Sequence, residues 1–512
     1  MPRPTVVFAL LFLAMMPASS HAQAVGTGFP LFNSFAQHEV DTINEGNLNV
    51  HLDIPIFEKS GRGLPLKYVV SYDALNWYAS LDPTNNIYYW TWAGSSWQVG
   101  IQALSGFVTY NRVSYPYACN GGGLWQRQNY VYHDPSGGSH LFTSSSVTEA
   151  DCSGVSHGGG PFYAYDGLGY SLSVDPTLSA SISNMEGQLI RPDQGTITDT
   201  NGNQINGGVD TLGVTALHIS NTSVTYPSPT NPSTFVGATF GYTQMSIQSN
   251  FGCSGIADRG NGVVNLLTSI TLPDSSHYLF TYEPTPGYPA GNTTGRITSV
   301  TLPSGAQITY QYTGGNHGII CADGSVAGLT RTTPDGIWTY TRSVTVQPPV
   351  PYTITSSITT LIDPMGNKQV INFGNGDSLE TMRQLYTGST TLLKTIETCY
   401  NGASFPCSNG LPGSGGVSQK TVREELPNSS GKVSEVDTFY TTPNGVKLPT
   451  DAWEYDFGSR PLVRLSGTPT LHTLGHSPPI FSMIPTIRAH RIRQQYRTGP
   501  LQLPFTMAVA TR

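Results

Sequence analysis

Six cysteines, a run of aromatic rings and several acid-rich turns are the residues whose types and spacing bear most directly on chemistry in this chain. The cysteines stand at 119, 152, 253, 321, 399 and 407. None forms a Cys-x-x-Cys pair and no His-Glu-x-x-His occurs, so a zinc site is not expected. Their order suggests neighbour pairing as disulfides: Cys119 with Cys152, Cys253 with Cys321, Cys399 with Cys407. The last pair has the best local case, because Asn401-Gly402 and Pro406 suit a pinched hairpin; elsewhere the connectivity stays open. A second group is aromatic. Trp77, Tyr88, Trp90, Trp92 and Trp97, with Tyr72, Tyr78 and Tyr89, crowd into one short stretch. Such rings pack strand surfaces, and that is the favoured reading; the functional alternative is a platform on which pyranose rings stack. A third group is acidic. Asp199, Asn201, Asn203 and Asp210 follow the ligand spacing of an EF-hand loop. Gln204, however, stands where that loop needs glycine, and the flanks read as strands. Side-chain-capped turns are the expectation there, and neither a metal nor a cofactor is expected.

Reactive constellations are weak. His133 and His140 flank an Asp134-Pro135-Ser136-Gly137-Gly138 turn and read as satisfied surface histidines. Asp73, Asp134 and Asp210 are candidate carboxylates, but nothing in the sequence pairs two of them as glycoside hydrolysis requires. Gly413-Ser414-Gly415 lies in a glycine- and proline-rich loop, not at a strand-to-helix turn, and no oriented base accompanies it. The chain is therefore not expected to be an enzyme.

The elements that must carry these residues are strands. Of 512 residues, 38% are hydrophobic and only 11% charged, while 10% are aromatic. The aromatic share argues against disorder, and 56 Gly with 37 Pro imply frequent turns and few long helices. A net charge of −7 offers no basic surface for nucleic acid or an anionic membrane. Arg3, the apolar run from Thr5 to Met16, and a small-residue site at Ser20-His21-Ala22 or Ala22-Gln23-Ala24 read as a secretory signal over residues 1–24. That run is short for a bilayer span, so no membrane span is expected and the chain is expected to be secreted or at the cell surface.

Period-two alternation begins with Leu48, Val50, Leu52, Ile54 and Ile56. It resumes after Gly61-Arg62-Gly63 with Leu64, Leu66, Tyr68, Val70 and Tyr72, predicting an antiparallel hairpin. Further on, the segment from Leu267 to Ser275 recurs from Ile297 to Gly305, and Tyr278-Leu279-Phe280-Thr281-Tyr282 overlies Ile308-Thr309-Tyr310-Gln311-Tyr312. Each unit reads strand, Leu-Pro turn, strand. Looser copies surround Asp134-Pro135, Asp199, Asp363-Pro364 and Asp451. The expected fold is all-β: antiparallel hairpin repeats forming an extended curved sheet over 256–458, after an N-terminal β region over 25–255. Past Asp456 there is no acidic residue, seven arginines appear and alternation fades. Residues 459–512 are expected to be an atypical basic tail, disordered or out of frame.

Gly295-Arg296-Ile297-Thr298-Ser299-Val300, the Asp-Pro-x-Gly and Leu-Pro-x-Gly turns, and the stretch from Asp41 to Val50 followed by Gly61 to Leu66 and Ser71-Tyr72-Asp73 resemble the RHS family of YD-repeat proteins. The likeness runs over roughly residues 27–458 and fits the amino-terminal portion of a large bacterial member. It implies a sheet that spirals into part of a hollow extracellular shell, which in complete members encloses a toxin or takes part in surface binding. Such a chain would be a structural or interaction protein with a protein or surface-glycan partner, and its open sheet edges would invite strand addition. The alternatives are a secreted carbohydrate-binding β protein using the 77–97 aromatics and, with less support, an extracellular hydrolase.

Overall fold

A computed structural model of the chain describes residues 27–466, apart from 31, 83, 84, 86, 95, 120, 121, 143, 320, 322–326, 348–352, 375–378, 408–416, 428–432, 442–447 and 457–461. The signal-like segment, the Gly413-Ser414-Gly415 loop and most of 459–512 thus lie outside the described residues. The chain is about 61% strand and 3% helix, and its sheets are almost wholly antiparallel.

The alternation read from the sequence becomes the first sheet. Val50–Lys59 and Leu66–Asp73 pair with Leu52 opposite Tyr72 and Ile54 opposite Val70. Leu52, Ile54, Tyr68, Val70 and Tyr72 are all fully buried, as expected when one parity of a strand faces a core. Phe35–Gln37, Asp41–Asn44 and Trp97–Gln98 complete this five-stranded sheet. A four-stranded sheet follows, built on the long hairpin Phe107–Cys119 and Gly122–His133, and then a six-stranded meander from Gly159 to Asn206. These two share a smaller core containing Tyr132, Phe142, Leu172 and Ile182.

The largest element is a 17-stranded sheet running from His218–Ile219 to Leu462–Ser466. Along it each strand lies beside its sequence neighbour, apart from the short Ile256–Ala257 strand, which leaves to pair with Tyr88 and Tyr89. Curvature is visible near its start. Phe235–Gln248 pairs antiparallel with Gly260–Thr271 and also touches Asn292–Thr301 in parallel, at Ser246 opposite Asn292. The sheet begins ahead of residue 256 and its last strand lies beyond 458. The described residues fall within one compact unit. Its main core joins the first sheet to the big one, setting Ile54, Val70 and Tyr72 in the same cluster as Ile270, Phe280, Ile297, Val300 and Tyr340.

The repeat has a physical content. In one unit Ile270 lies opposite Tyr278, and in the next Val300 lies opposite Ile308. The last tyrosine of each unit makes the same bond: Tyr282 Oη donates to the Leu267 carbonyl, and Tyr312 Oη donates to the Ile297 carbonyl at 3.0 Å. Each repeat thereby uses the phenol to fix the splay of its own hairpin. The turns share one construction too. In the Asp363-Pro364-Met365-Gly366-Asn367 turn the Gly366 N–H donates to the Asp363 carbonyl, and the Asp363 N–H donates to the Asn367 carbonyl. The Asp363 carboxylate accepts the N–H groups of Met365 and Asn367 at 2.9 and 2.8 Å. Gly366 sits at φ +80°, a left-handed conformation that glycine adopts without a Cβ penalty. The turns at Asp134, Asp151, Asp199 and Asp210 repeat this pattern. In the Leu-Pro turns only the leucine backbone occupies the first position; Leu302 bonds with Gly305 and Ala306 in the same way.

Candidate functional site

The three neighbour cysteine pairs are bonded: Cys119–Cys152, Cys253–Cys321 and Cys399–Cys407. The aromatic group is mostly interior. Trp77, Trp90 and Trp97 are 5%, 5% and 2% exposed, too little to offer a ring face to a sugar. Trp77 and Trp90 meet Phe251 edge-on at 5.6 and 5.5 Å, while Trp97 lies against Tyr72 and Phe280. Two of the polar edges are used inside as well: the Trp77 indole donates to the Thr294 carbonyl at 2.7 Å and that of Trp97 to Tyr282 Oη at 2.8 Å. Tyr88 and Trp92 are half-buried on the neighbouring strand. The stretch thus works chiefly as the joint between the first sheet and the repeats.

Asp199 caps its own turn, its carboxylate accepting from the N–H groups of Asn201 and Asn203 and from the Asn203 amide, so these oxygens are spent on backbone geometry. Asp210 caps the next turn and pairs with Lys59. Among the described residues no cluster of three or more His, Cys, Asp or Glu side chains is placed to hold a metal.

The strongest polar feature was not anticipated from the sequence. Residues 34–45 cross one face of the repeat sheet and bind successive hairpins through buried charge. Asp41 receives Arg331 through Nε at 2.6 Å and Nη2 at 2.7 Å, and Tyr310 Oη donates to the same carboxylate at 2.8 Å. Both ends are interior, Asp41 at 1% and Arg331 at 4% exposure. The Arg331 guanidinium also lies over the Trp338 ring at 4.8 Å. Further along, the Thr359 hydroxyl donates to the Glu45 carbonyl at 2.7 Å, and Arg383 Nη2 reaches the Glu45 carboxylate at 2.7 Å. Glu380 completes this end by accepting from Arg383 and from the Ser34 hydroxyl. Burial alone would depress the Arg383 charge, yet its hydrogen bonds to Glu380 and Glu45 raise its pKa. The signal that could have revealed this ladder is parity. Arg331 shares the inward parity of Ala327 and Leu329 on its strand, where an aliphatic side chain would be expected. Asp41 lies in a four-residue strand that is buried at every position.

A second polar cluster sits where the first sheet meets the four-stranded sheet. Gly137, at φ +81°, packs so closely on the first sheet that a Cβ there would stand 2.3 Å from Asp73 Oδ2. Asp73 in turn accepts from Asn49 Nδ2 and from the Gly28 N–H, and lies 3.2 Å from His51 Nδ1. His51 Nε2 also faces Asp53 Oδ1 at 3.2 Å. Burial lowers the His51 pKa, but the charge of Asp73 and the bond to Asp53 outweigh it and lift it to about 10. On the other side of the turn His140 is 2% exposed, so the expected surface histidine is an interior ion pair, bonded to Asp134 at 3.0 Å and to Asp166 at 2.5 Å. Burial opposes its charge and those two carboxylates raise its pKa to about 9. His133 does not oppose His140; the register sets it against Ser139. Its ring stacks on Phe107 at 4.4 Å and bonds the hydroxyls of Ser139 and Thr109, each at 3.0 Å. Burial, then the nearby His140 charge, push its pKa down to about 4, so His133 is neutral.

Every strongly perturbed histidine here is committed to fixed partners within the fold: His51 to Asp73, His140 to Asp134 and Asp166, and His133 to the hydroxyls of Ser139 and Thr109. No family model matches the chain and no curated protein matches it.

Proposed function

We propose that this chain is a secreted structural and interaction protein of the RHS/YD-repeat kind, contributing a stretch of curved wall to an extracellular assembly. The observation that carries the reading is the 17-stranded sheet, in which sequence-adjacent hairpins stack without interruption by another fold and equivalent tyrosines make equivalent bonds. Such a ladder propagates by adding hairpins, each burying its inner face against what lies beneath. In this reading residues 34–45 serve as a clasp. They lie across several repeats and hold them through Asp41–Arg331 and Glu45–Arg383, so that the first sheet lines the inner face of the wall. The three disulfides suit an oxidising compartment.

A wall segment has edges, and Leu462–Ser466 pairs among the described residues only with Leu448–Tyr455. The unpaired rim of that strand is a template for a further strand, from a partner or a second copy. Light scattering over a range of concentrations tests this. Self-association that weakens on Val463→Pro is expected, since proline removes an edge donor. A monodisperse monomer at every concentration would rule strand addition out. N-terminal sequencing of exported protein should begin at Gln23 or Val25, and a retained residue 1 would overturn the export reading.

A further inference from the structure

Between the first sheet and the hairpin of Phe107–Cys119 with Gly122–His133 lies an open cleft of about 250 Å³. One wall is made by Asp73, Ser96 and Gln98, and the other by Phe107, Asn111, Asn129 and His133, with Tyr78 at the side. We propose that this cleft binds a neutral saccharide, a short stretch of glycan entering from its open side.

Three observations point to that ligand class. First, among the described residues the lining holds no lysine or arginine. Its one carboxylate, Asp73, is already engaged by His51, Asn49 and the Gly28 N–H. His133 carries no charge at neutral pH. Phosphates and other anions therefore have no counter-charge to meet, and a cation would compete with the protonated His51. Secondly, the cleft contains acceptors that the fold leaves unused. Gln98 is 6% exposed and its Oε1 has no hydrogen-bond partner among the described residues; Ser96 Oγ is likewise buried and without a partner among them. Opposite Ser71 on its neighbour strand, Gln98 projects from the face away from Trp97, toward the cleft that it lines. A buried amide oxygen without a partner costs about 1–3 kcal/mol, a cost that an O–H donor removes and an apolar ligand does not. Thirdly, half-buried Tyr78 and Phe107 supply ring surface for the C–H face of a pyranose, while the half-buried amides of Asn111 and Asn129 can donate or accept. Amides beside aromatic rings in a charge-balanced cleft match a polyol ring, which is polar at its rim and apolar on its faces. At this volume the site lies just below the roughly 300–1,000 Å³ typical of drug-sized pockets.

This site differs from the Trp77–Trp97 rings, most of which are interior, and it does not depend on the wall reading. The test is saturation-transfer NMR and calorimetry on the mature full chain, with cellobiose, maltose and chitobiose as neutral probes and glucose 6-phosphate as the anionic one. At least one neutral disaccharide should bind, and bind more tightly than glucose 6-phosphate. Gln98→Leu and Asn111→Ala should each weaken that binding by about 10-fold. Asn111 is half-buried on the outer hairpin, so its truncation keeps the test alive should Gln98→Leu fail to fold. The proposal is overturned if no neutral probe binds, if glucose 6-phosphate binds best, or if folded Asn111→Ala binds as the parent does.

Discussion

The clasp makes the sharpest prediction. Replacing Asp41 with Ala removes both hydrogen bonds from Arg331 and the one from Tyr310, and leaves a guanidinium that is 4% exposed without its counter-ion. Each charge-assisted bond is worth about 1.5–3 kcal/mol, but the three share one desolvated carboxylate, so adding them would count its burial repeatedly. The measured cost of orphaning one member of a buried pair, about 3–5 kcal/mol, is the better figure. Arg331→Met should cost a comparable amount, because Asp41 is then buried with only the Tyr310 hydroxyl. The double change Asp41→Leu with Arg331→Met should cost far less than the two singles together, since neither charge remains to be desolvated. Urea unfolding followed by tryptophan fluorescence gives the free energies. Hydrogen exchange at Ile43 and Asn44, in the strand that carries Asp41, shows whether the segment lets go before the rest. Single variants costing under about 1 kcal/mol, or a double variant equal to their sum, would refute the argument that a coupled buried pair holds the N-terminal segment to the repeats.

Three further outcomes are expected. Gly137→Ala should destabilise the fold well beyond Gly366→Ala: both glycines have positive φ, but a Cβ at Gly137 meets Asp73 Oδ2 at 2.3 Å, whereas at Gly366 it meets nothing within 4 Å. Gly366→Ala should cost about 1 kcal/mol from the left-handed backbone alone, and equal midpoints in urea for the two would contradict the packing. Removing Cys253–Cys321 as an alanine pair should cost about 4 kcal/mol and removing Cys399–Cys407 about 2.5 kcal/mol, because the loops span 68 and 8 residues; the reverse order in calorimetry would show that chain entropy does not govern them. Stability should also depend on pH on both sides of neutrality. Asp134 and Asp166 lift the His140 pKa from 6.5 to about 9, so its contribution is complete below pH 6.5 and is lost as the pH rises through 9. His133, lowered to about 4, contributes above pH 6.5 and loses that contribution as the pH falls through 4. Urea midpoints across this range should fall at both ends, and Asp166→Asn should flatten the alkaline limb; an unchanged limb would mean that His140 is not charged in the fold.

Much of the backbone plan was legible because strand signals are local. Alternation around Leu52 and Tyr72 implied a hairpin with one buried face, and the two residues stand opposite each other. The spacing between the two Leu-Pro segments reappears as equivalent registers at Ile270–Tyr278 and Val300–Ile308. The acidic turns, too, read correctly as turns, since each aspartate side chain accepts from the backbone of its own turn. The sites were harder. The aromatic stretch looks the same in sequence whether its rings face solvent or core; only Phe251, brought in from far along the chain, shows that Trp77 and Trp90 point inward. His140 gave no sign of burial because one of its two acids, Asp166, lies in a separate turn.

The order of residues, then, determined by itself the all-β character, the hairpin repeats and the turn chemistry, because each depends on φ/ψ preference and on side-chain parity over a few neighbours. Tertiary structure alone decided that Asp41 would find Arg331, that Glu45 would find Arg383, and that a charge-balanced cleft would open between two sheets. Those outcomes rest on burial, which strengthens some charge pairs and leaves other polar atoms in want of a partner, and burial belongs to the packed sheets as a whole rather than to any short stretch of chain.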